Sequence, residues 1–275
     1  MPHRLQFAAL VLVGFLASSA INAKTYTFGV VPQQAAAKLA RLWTPILNDV
    51  SARAGVVVRF RTAPNIPEFE ARVRRGEYDF AYMNPYHFTV FHENPGYVAV
   101  ARQAQKQIRG LIVVARDGPL TSLEELAGGQ VAFPAPAAFA ATVLPRAEML
   151  RRGIDVEPRY VSSHDSVYRA VAKGLFNAGG GIQRTLANVD AKTREQLRVL
   201  WTTRGYTPHA IAAHPRVAPG IRQRLADALI GLSSDAAGRE LLATIKFKAI
   251  EPATDSDWDD VRALDLRAVA DLSDS

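Results

Sequence analysis

The residues of this sequence best suited to chemistry cluster at helix starts. Ser162-Ser163-His164-Asp165 opens a helical stretch. A serine can cap it, and His164 donates one hydrogen bond when neutral or adds a charge when protonated. Asp165 suits a ligand amine or caps the same helix. Asn84-Pro85-Tyr86-His87 is a second helix start, a capping residue followed by proline at the first helical position. Tyr82 and Met83 just before it, with Tyr86 and His87, make either an aromatic and polar wall or plain core. Gln33 and Gln34 follow a β-rich stretch, and their amides both donate and accept. The chemistry such groups share is capture of a small anionic or polar molecule, because a helix start offers unpaired N–H groups and the positive end of its dipole.

Turnover and metal binding find less support. His164-Asp165-Ser166 has the residue types of a hydrolytic triad, but a triad is a spatial arrangement that adjacency does not supply. No G-x-S-x-G elbow occurs. His87/His92 and His209/His214 are five apart, which places each pair on different helix faces, and no H-E-x-x-H is present. Gly179-Gly180-Gly181 lacks the lysine of a phosphate-binding loop and reads as a strand end where backbone approaches closely. No catalytic residue, metal site or cofactor is therefore expected. Arg72, Arg74 and Arg75 alternate with Glu68, Glu70 and Glu77, the pattern of a solvated helix face rather than a nucleic-acid patch.

Two β/α blocks position these residues. Thr25 to Val31, Val56 to Phe60 and Tyr78 to Tyr82 read as strands separated by helices over 33–53 and 67–75. Leu39, Leu42, Trp43, Ile46 and Val50 put one apolar stripe on the first helix. Alternating strands and helices in this order make a parallel sheet covered by helices. Strands at 97–102 and 111–116 lead into a second block: a capping box at Ser122-Leu-Glu-Glu125, strands at 131–133, 156–161 and 176–181, and helices at 139–152 and 164–173. Strand candidates at 196–201 and 209–213 and three helical segments, 219–232, 234–244 and 254–272, complete the chain. Residues 24–108 with 207–275 would form one lobe and 109–206 the other, joined near 104–110 and 204–209 by a hinge of two strands, with a cleft between.

The chain opens with the short basic segment Met1-Pro-His-Arg4, an apolar run from Leu5 to Ala17 broken only by Gln6, and a small-residue exit at Ile21-Asn-Ala23. These three parts describe a secretory signal peptide cleaved after Ala23. The apolar run is too short for the ~20 residues of a membrane-spanning helix, so no membrane insertion is expected. The absence of cysteine excludes a disulfide scaffold, a thiolate metal site and a lipidated anchor. The net charge of +7 favours anionic partners at long range.

Several segments, in order, resemble the periplasmic phosphate/phosphite/phosphonate-binding proteins of ABC transporters, which are type II solute-binding proteins. They are Trp43-Thr-Pro-Ile-Leu47, Tyr78-Asp-Phe-Ala-Tyr-Met-Asn-Pro-Tyr86, Ser122-Leu-Glu-Glu-Leu126 before Val131-Ala-Phe133, and Ser163-His-Asp165 before Ala170-Val-Ala-Lys-Gly174. The resemblance runs over about 25–250. It implies an α/β fold of two lobes, each a mixed sheet with flanking helices, closing on an oxyanion held at helix N-termini.

The resemblance also assigns a ligand set: Gln33, Gln34, Tyr82, Asn84, Tyr86, His87, His164 and Asp165. The family's Ser-Thr-Ser-Gly run matches Ala138-Phe139-Ala140-Ala141 here, followed by Thr142. Backbone donors at Ala140, Ala141 and Thr142 can remain, while three hydroxyl contacts are lost, each contributing ~1.5–3 kcal/mol to a charged partner. Where the family usually carries an acidic residue for a ligand amine, the nearest residue is His209, which disfavours an aminophosphonate. The implied function is an exported, monomeric binding protein that delivers a small anionic or polar ligand to an ABC permease by lobe closure. The alternative is a sensory adaptor of the same fold that reports closure to a membrane receptor, and a periplasmic enzyme is the remotest reading.

Overall fold

The computed structural model describes residues 24–264. The expected signal segment, 1–23, and the end of the last expected helix lie outside the described residues. The first sheet holds β1 (Thr25–Val30), β2 (Val57–Arg61), β3 (Phe80–Met83), β4 (Val98–Gln103), β10 (Ala210–Ala213) and β11 (Ile250–Pro252), in the order β11-β4-β10-β3-β1-β2. β1 runs parallel to β2 and β3, whereas β10 is antiparallel to both β3 and β4. The second sheet holds β5 (Leu111–Ala115), β6 (Gln130–Phe133), β7 (Glu157–Tyr160), β8 (Ala178–Gly181) and β9 (Leu197–Thr202), in the order β7-β6-β8-β5-β9. β6 is parallel to β7 and β8, and β5 is antiparallel to β8 and β9. Both sheets are thus mixed, as the resemblance implies.

Periodicity explains the covering helices. In α1 (Ala36–Ala54), Leu39, Trp43, Ile46, Leu47 and Val50 are buried against Phe28 and Phe80 of the first sheet. Burying each such side chain contributes roughly 1.5–3 kcal/mol. α1 ends at Gly55, whose φ of 65° is the left-handed geometry glycine tolerates best. It begins three residues later than the sequence suggests, so Gln33 and Gln34 lie in the bend between β1 and α1. α8 (Pro219–Gly231) and α9 (Ala236–Thr244) complete this face. On the other face α2 (Ile66–Arg74) and α3 (Pro85–Glu93) cover Phe69, Tyr78, Phe88 and the fully buried Trp258.

The second sheet is sandwiched between α5 (His164–Ala172), through Val167 and Val171, and α4 (Leu144–Arg151), through Met149. The expected helix over 139–152 starts instead as a π-turn, Phe139–Val143, that runs into α4. The expected capping box at Ser122 is replaced: Glu125 accepts from the backbone N–H and the hydroxyl of Thr121. Two short helices, α6 (Gln183–Asn188) and α7 (Ala191–Glu195), occupy a stretch with no readable periodicity, and α10 (Asp259–Arg262) ends the described chain.

The chain crosses between the sheets twice, and the crossings pair. Ile108 and Tyr206 exchange backbone hydrogen bonds of 2.8 and 2.9 Å, and Thr203 N–H donates to Gly110 O at 2.9 Å. The C-terminal segment braces this connection: Trp258 Nε1–H donates to Pro208 O at 2.9 Å, and Thr207 N–H donates to Asp260 Oδ2 at 2.7 Å.

Candidate functional site

In the first lobe, the ends of β1 and β3 and the segment entering β10 converge. Tyr82, the third residue of β3, stacks on His209 with ring centroids 4.9 Å apart and planes 19° apart. Trp43 lies behind Tyr82 at 5.0 Å. Gln33 stands between His209 and the second lobe. Arg184 Nη2 donates to its Oε1 at 3.4 Å, and its Nε2 lies 2.8 Å from His209 Nε2. Arginine only donates, so the amide oxygen faces Arg184 and the amide N–H faces His209. His209 Nε2 is therefore an acceptor, and the ring carries its proton on Nδ1. Burial first and the Arg184 charge second agree with this: they push the His209 pKa down to about 3. Burial likewise moves the Tyr82 hydroxyl upward, against a small opposing pull from Arg184. Gln34 is half-buried, and its Oε1 has no partner among the described residues.

The start of α3 supplies a second group. Asn84 caps the helix, its Oδ1 accepting from His87 N–H at 2.8 Å. Its Nδ2 donates across the cleft to Ala137 O at 3.3 Å and lies 3.2 Å from His87 Nε2. His87 is 2 % exposed, and its Nε2 sits 2.7 Å from Glu70 Oε1. The carboxylate requires a donor there, which leaves Nδ1, a buried atom with no partner among the described residues, as the open end of the ring. Tyr86 is half-buried, 6.5 Å from the His87 ring.

The second lobe contributes backbone more than side chains. In the π-turn, Phe139 and Ala141 are buried and Ala140 is half-buried. Phe139 inserts into the apolar cluster of the first lobe and meets Tyr206 edge-on at 6.2 Å. No side chain caps the turn, so its first N–H groups have no helical acceptor. Thr142 is fully buried and spends its hydroxyl on Ala135 O at 2.7 Å, holding the turn rather than facing the cleft. A Cβ on Gly180 would run into the Ala141 carbonyl and the Phe133 ring, so the glycine strand lets β8 lie directly against the turn. His164, at the start of α5, is half-buried with Nδ1 unpartnered among the described residues. Burial first and Arg184 second push its pKa down to about 4, while the exposed Asp165 pulls the other way.

The structure thus joins Gln33, Tyr82 and His209 in one contact group and Asn84 and His87 in another. Two residues absent from the sequence-based set belong beside them: Glu70, which orients His87, and Arg184, which bridges the lobes. A cation three residues past a glycine strand was the only local signal for Arg184. Glu70 had none, because its helix face reads as solvated.

Residues 28–258 match the model of the family described as ABC transporter, phosphonate, periplasmic substrate-binding protein. The phosphate-import protein PhnD of Mycolicibacterium smegmatis is 21% identical over 272 residues, spanning 87% of this chain and 84% of that protein. PhnD1 of Prochlorococcus marinus, solved with methylphosphonate, superposes with a TM-score of 0.77 at 16% identity, over 89% of this chain and 98% of that one. A binding protein of a Pseudomonas aeruginosa ABC phosphonate transporter gives 0.75 at 16% identity, over 90% and 87%. These likenesses share the two-sheet, type II binding-protein architecture, and the match of the family model over most of the sequence places the chain in that family: it belongs to the periplasmic phosphonate substrate-binding proteins of ABC transporters.

Proposed function

We propose that this protein captures a small phosphorus oxyanion, a phosphonate, phosphite or phosphate, between its two lobes and presents it to an ABC permease. It works as a monomer, without turnover, on the periplasmic side of a membrane that residues 1–23 direct it across. Residues 24–108 with 207–275 form one jaw and 109–206 the other. The relatives named above bind or import ligands of this class. The observation that carries the reading is that polar groups from both sheets meet across one cleft, as Asn84 with Ala137 O and Gln33 with Arg184.

Lobe closure then follows from the chemistry. Unspent N–H groups of the turn at Phe139, Ala140 and Ala141 point a helix start at the anion, and His164, at the start of α5, joins them. Gln33, Gln34, Asn84, Tyr86, His87 and His209 close the other side, and Asp165 stands at the rim. An anion that bonds donors on both jaws stabilises the closed form over the open one by its differential affinity. Closure is what a permease reads.

The test is a thermal-shift and calorimetric screen of residues 24–275 against phosphate, phosphite, methylphosphonate, sulfate, carboxylates and amino acids. A ligand at 100 times its Kd adds about 2.7 kcal/mol and raises Tm by several degrees. A response confined to phosphorus oxyanions supports the reading. A response only to another class, or to none, overturns it.

A further inference from the structure

At Ala138, Phe139 and Ala140 the turn offers no hydroxyl, and a guanidinium reaches into the cleft instead. Arg184 is the second residue of α6, immediately after the glycine strand β8. Gly180 packs that strand against the Ala141 carbonyl, so the end of β8 lies against the π-turn. From there the side chain spans the cleft to Gln33 Oε1. Its charge is felt by Tyr82 and His209 on one lobe and by His164 on the other, which locates it among them. Both histidines are held neutral. Arg184 forms no ion pair among the described residues, and most of its five N–H donors remain uncommitted. Glu70 is engaged by His87, and Asp165, beside His164, is exposed.

We propose that Arg184 is the countercharge of this site. It selects an oxyanion that offers two oxygens to one guanidinium edge and bears no ammonium group. The inference rests on the capture reading above and adds to it the residue and the charge class. A guanidinium presents a planar fork that matches two oxygens of a tetrahedral anion, and such charge-assisted pairs are the stronger hydrogen bonds. On binding, the anion replaces Gln33 Oε1 as the acceptor of Arg184, so the cross-cleft bond becomes a bridge through the ligand. An ammonium substituent would instead share the cleft with the Arg184 charge, while Glu70 is engaged by His87 and Asp165 is exposed.

Two measurements decide it. Isothermal titration of the wild type and of Arg184→Gln and Arg184→Lys with phosphate, methylphosphonate, 2-aminoethylphosphonate and sulfate gives the affinities. Proton NMR titration of the histidines in the wild type and Arg184→Gln places the charge. We expect methylphosphonate or phosphate to bind about 10- to 100-fold more weakly to Arg184→Gln. Arg184→Lys should fall between, and 2-aminoethylphosphonate should bind the wild type at least tenfold more weakly than methylphosphonate. The pKa values of His164 and His209 should both rise in Arg184→Gln. Equal affinities in wild type and Arg184→Gln overturn the inference and leave the capture reading standing. So does 2-aminoethylphosphonate binding as tightly as methylphosphonate, or histidine titrations that do not move. Arginine-dependent binding of sulfate alone sustains the role of Arg184 and overturns the phosphorus ligand. No binding of any anion to the wild type overturns both.

Discussion

Two helix starts face each other across the cleft, and they are built in opposite ways. In the first lobe, α3 begins with a side-chain cap: Asn84 Oδ1 takes the His87 N–H, and proline follows at the first position. In the second, the π-turn at Phe139–Val143 has no side-chain cap and is held by packing, through the Phe139 ring on one side and Gly180 on the other. A cap spends a donor to fix a helix end, whereas packing fixes the end and leaves the donors unspent. Even α5, the other start on that side, is capped by Ser163, which accepts from Ser166 N–H at 3.1 Å. At these two starts, therefore, the first lobe presents side chains and the apolar turn opposite presents backbone.

If packing does the work of a cap, its removal should cost more than removal of the real cap. Phe139→Ala should have the largest effect, destabilising the protein by about 3–5 kcal/mol as expected for emptying a buried aromatic site. Denaturant unfolding measures this, and a loss below about 1 kcal/mol would break the contrast. Gly180→Ala comes next. Its Cβ must displace the Ala141 carbonyl or the Phe133 ring, a strain of about 1–3 kcal/mol that lowers Tm by several degrees and weakens ligand binding through the displaced turn. An unchanged Tm would show that β8 does not support the turn.

Acidification tests the contact group between the lobes. The folded pKa values of His164 and His209, about 4 and about 3, lie below the ordinary 6.5. The unfolded chain therefore takes up protons first as pH falls. The stability these neutral rings contribute is present above pH 6.5 and is lost on acidification toward pH 4. Each accounts for up to about 1.4 kcal/mol per pH unit. Separation of the lobes rehydrates both rings, so small-angle scattering should show the molecule opening before it unfolds, and a dome of stability centred below pH 5 would contradict this. The smallest effect is expected of Asn84→Ala, about 1 kcal/mol for the lost cap. The same variant loses the bond to Ala137 O, so it should favour the open form by more than its stability loss suggests.

Much of the fold was legible because its signals are local. The stripe through Leu39, Trp43, Ile46 and Val50, the Asn84-Pro85 start and the stop at Gly55 each need only a few neighbouring residues. Where the local signal is ambiguous, tertiary contacts decide: Glu125 turns to Thr121 instead of Ser122, and residues 183–195 become helical without a periodic pattern. The side chains of the first lobe were legible at the site for the same reason, since strand ends and helix starts mark them. Arg184 and Glu70 were not, because each is defined by a partner far along the chain, Gln33 and His87 respectively. Thr142 was readable as part of the turn through its backbone, but only the structure shows its hydroxyl spent on Ala135 O.

The placement of β10 governs the order in which the molecule can assemble. This strand lies in the middle of the first sheet, between β3 and β4, yet it is contributed by residues 210–213, after the whole second sheet has been traversed. The second sheet draws all five strands from one uninterrupted stretch, 111–202. Pairings that span more sequence form more slowly, because a longer loop must close before any contact rewards it. The second lobe should therefore reach its native pairing early. The first lobe waits, with the facing edges of β3 and β4 unmated, until the returning strand slots between them and fixes both the sheet and the crossings beneath it.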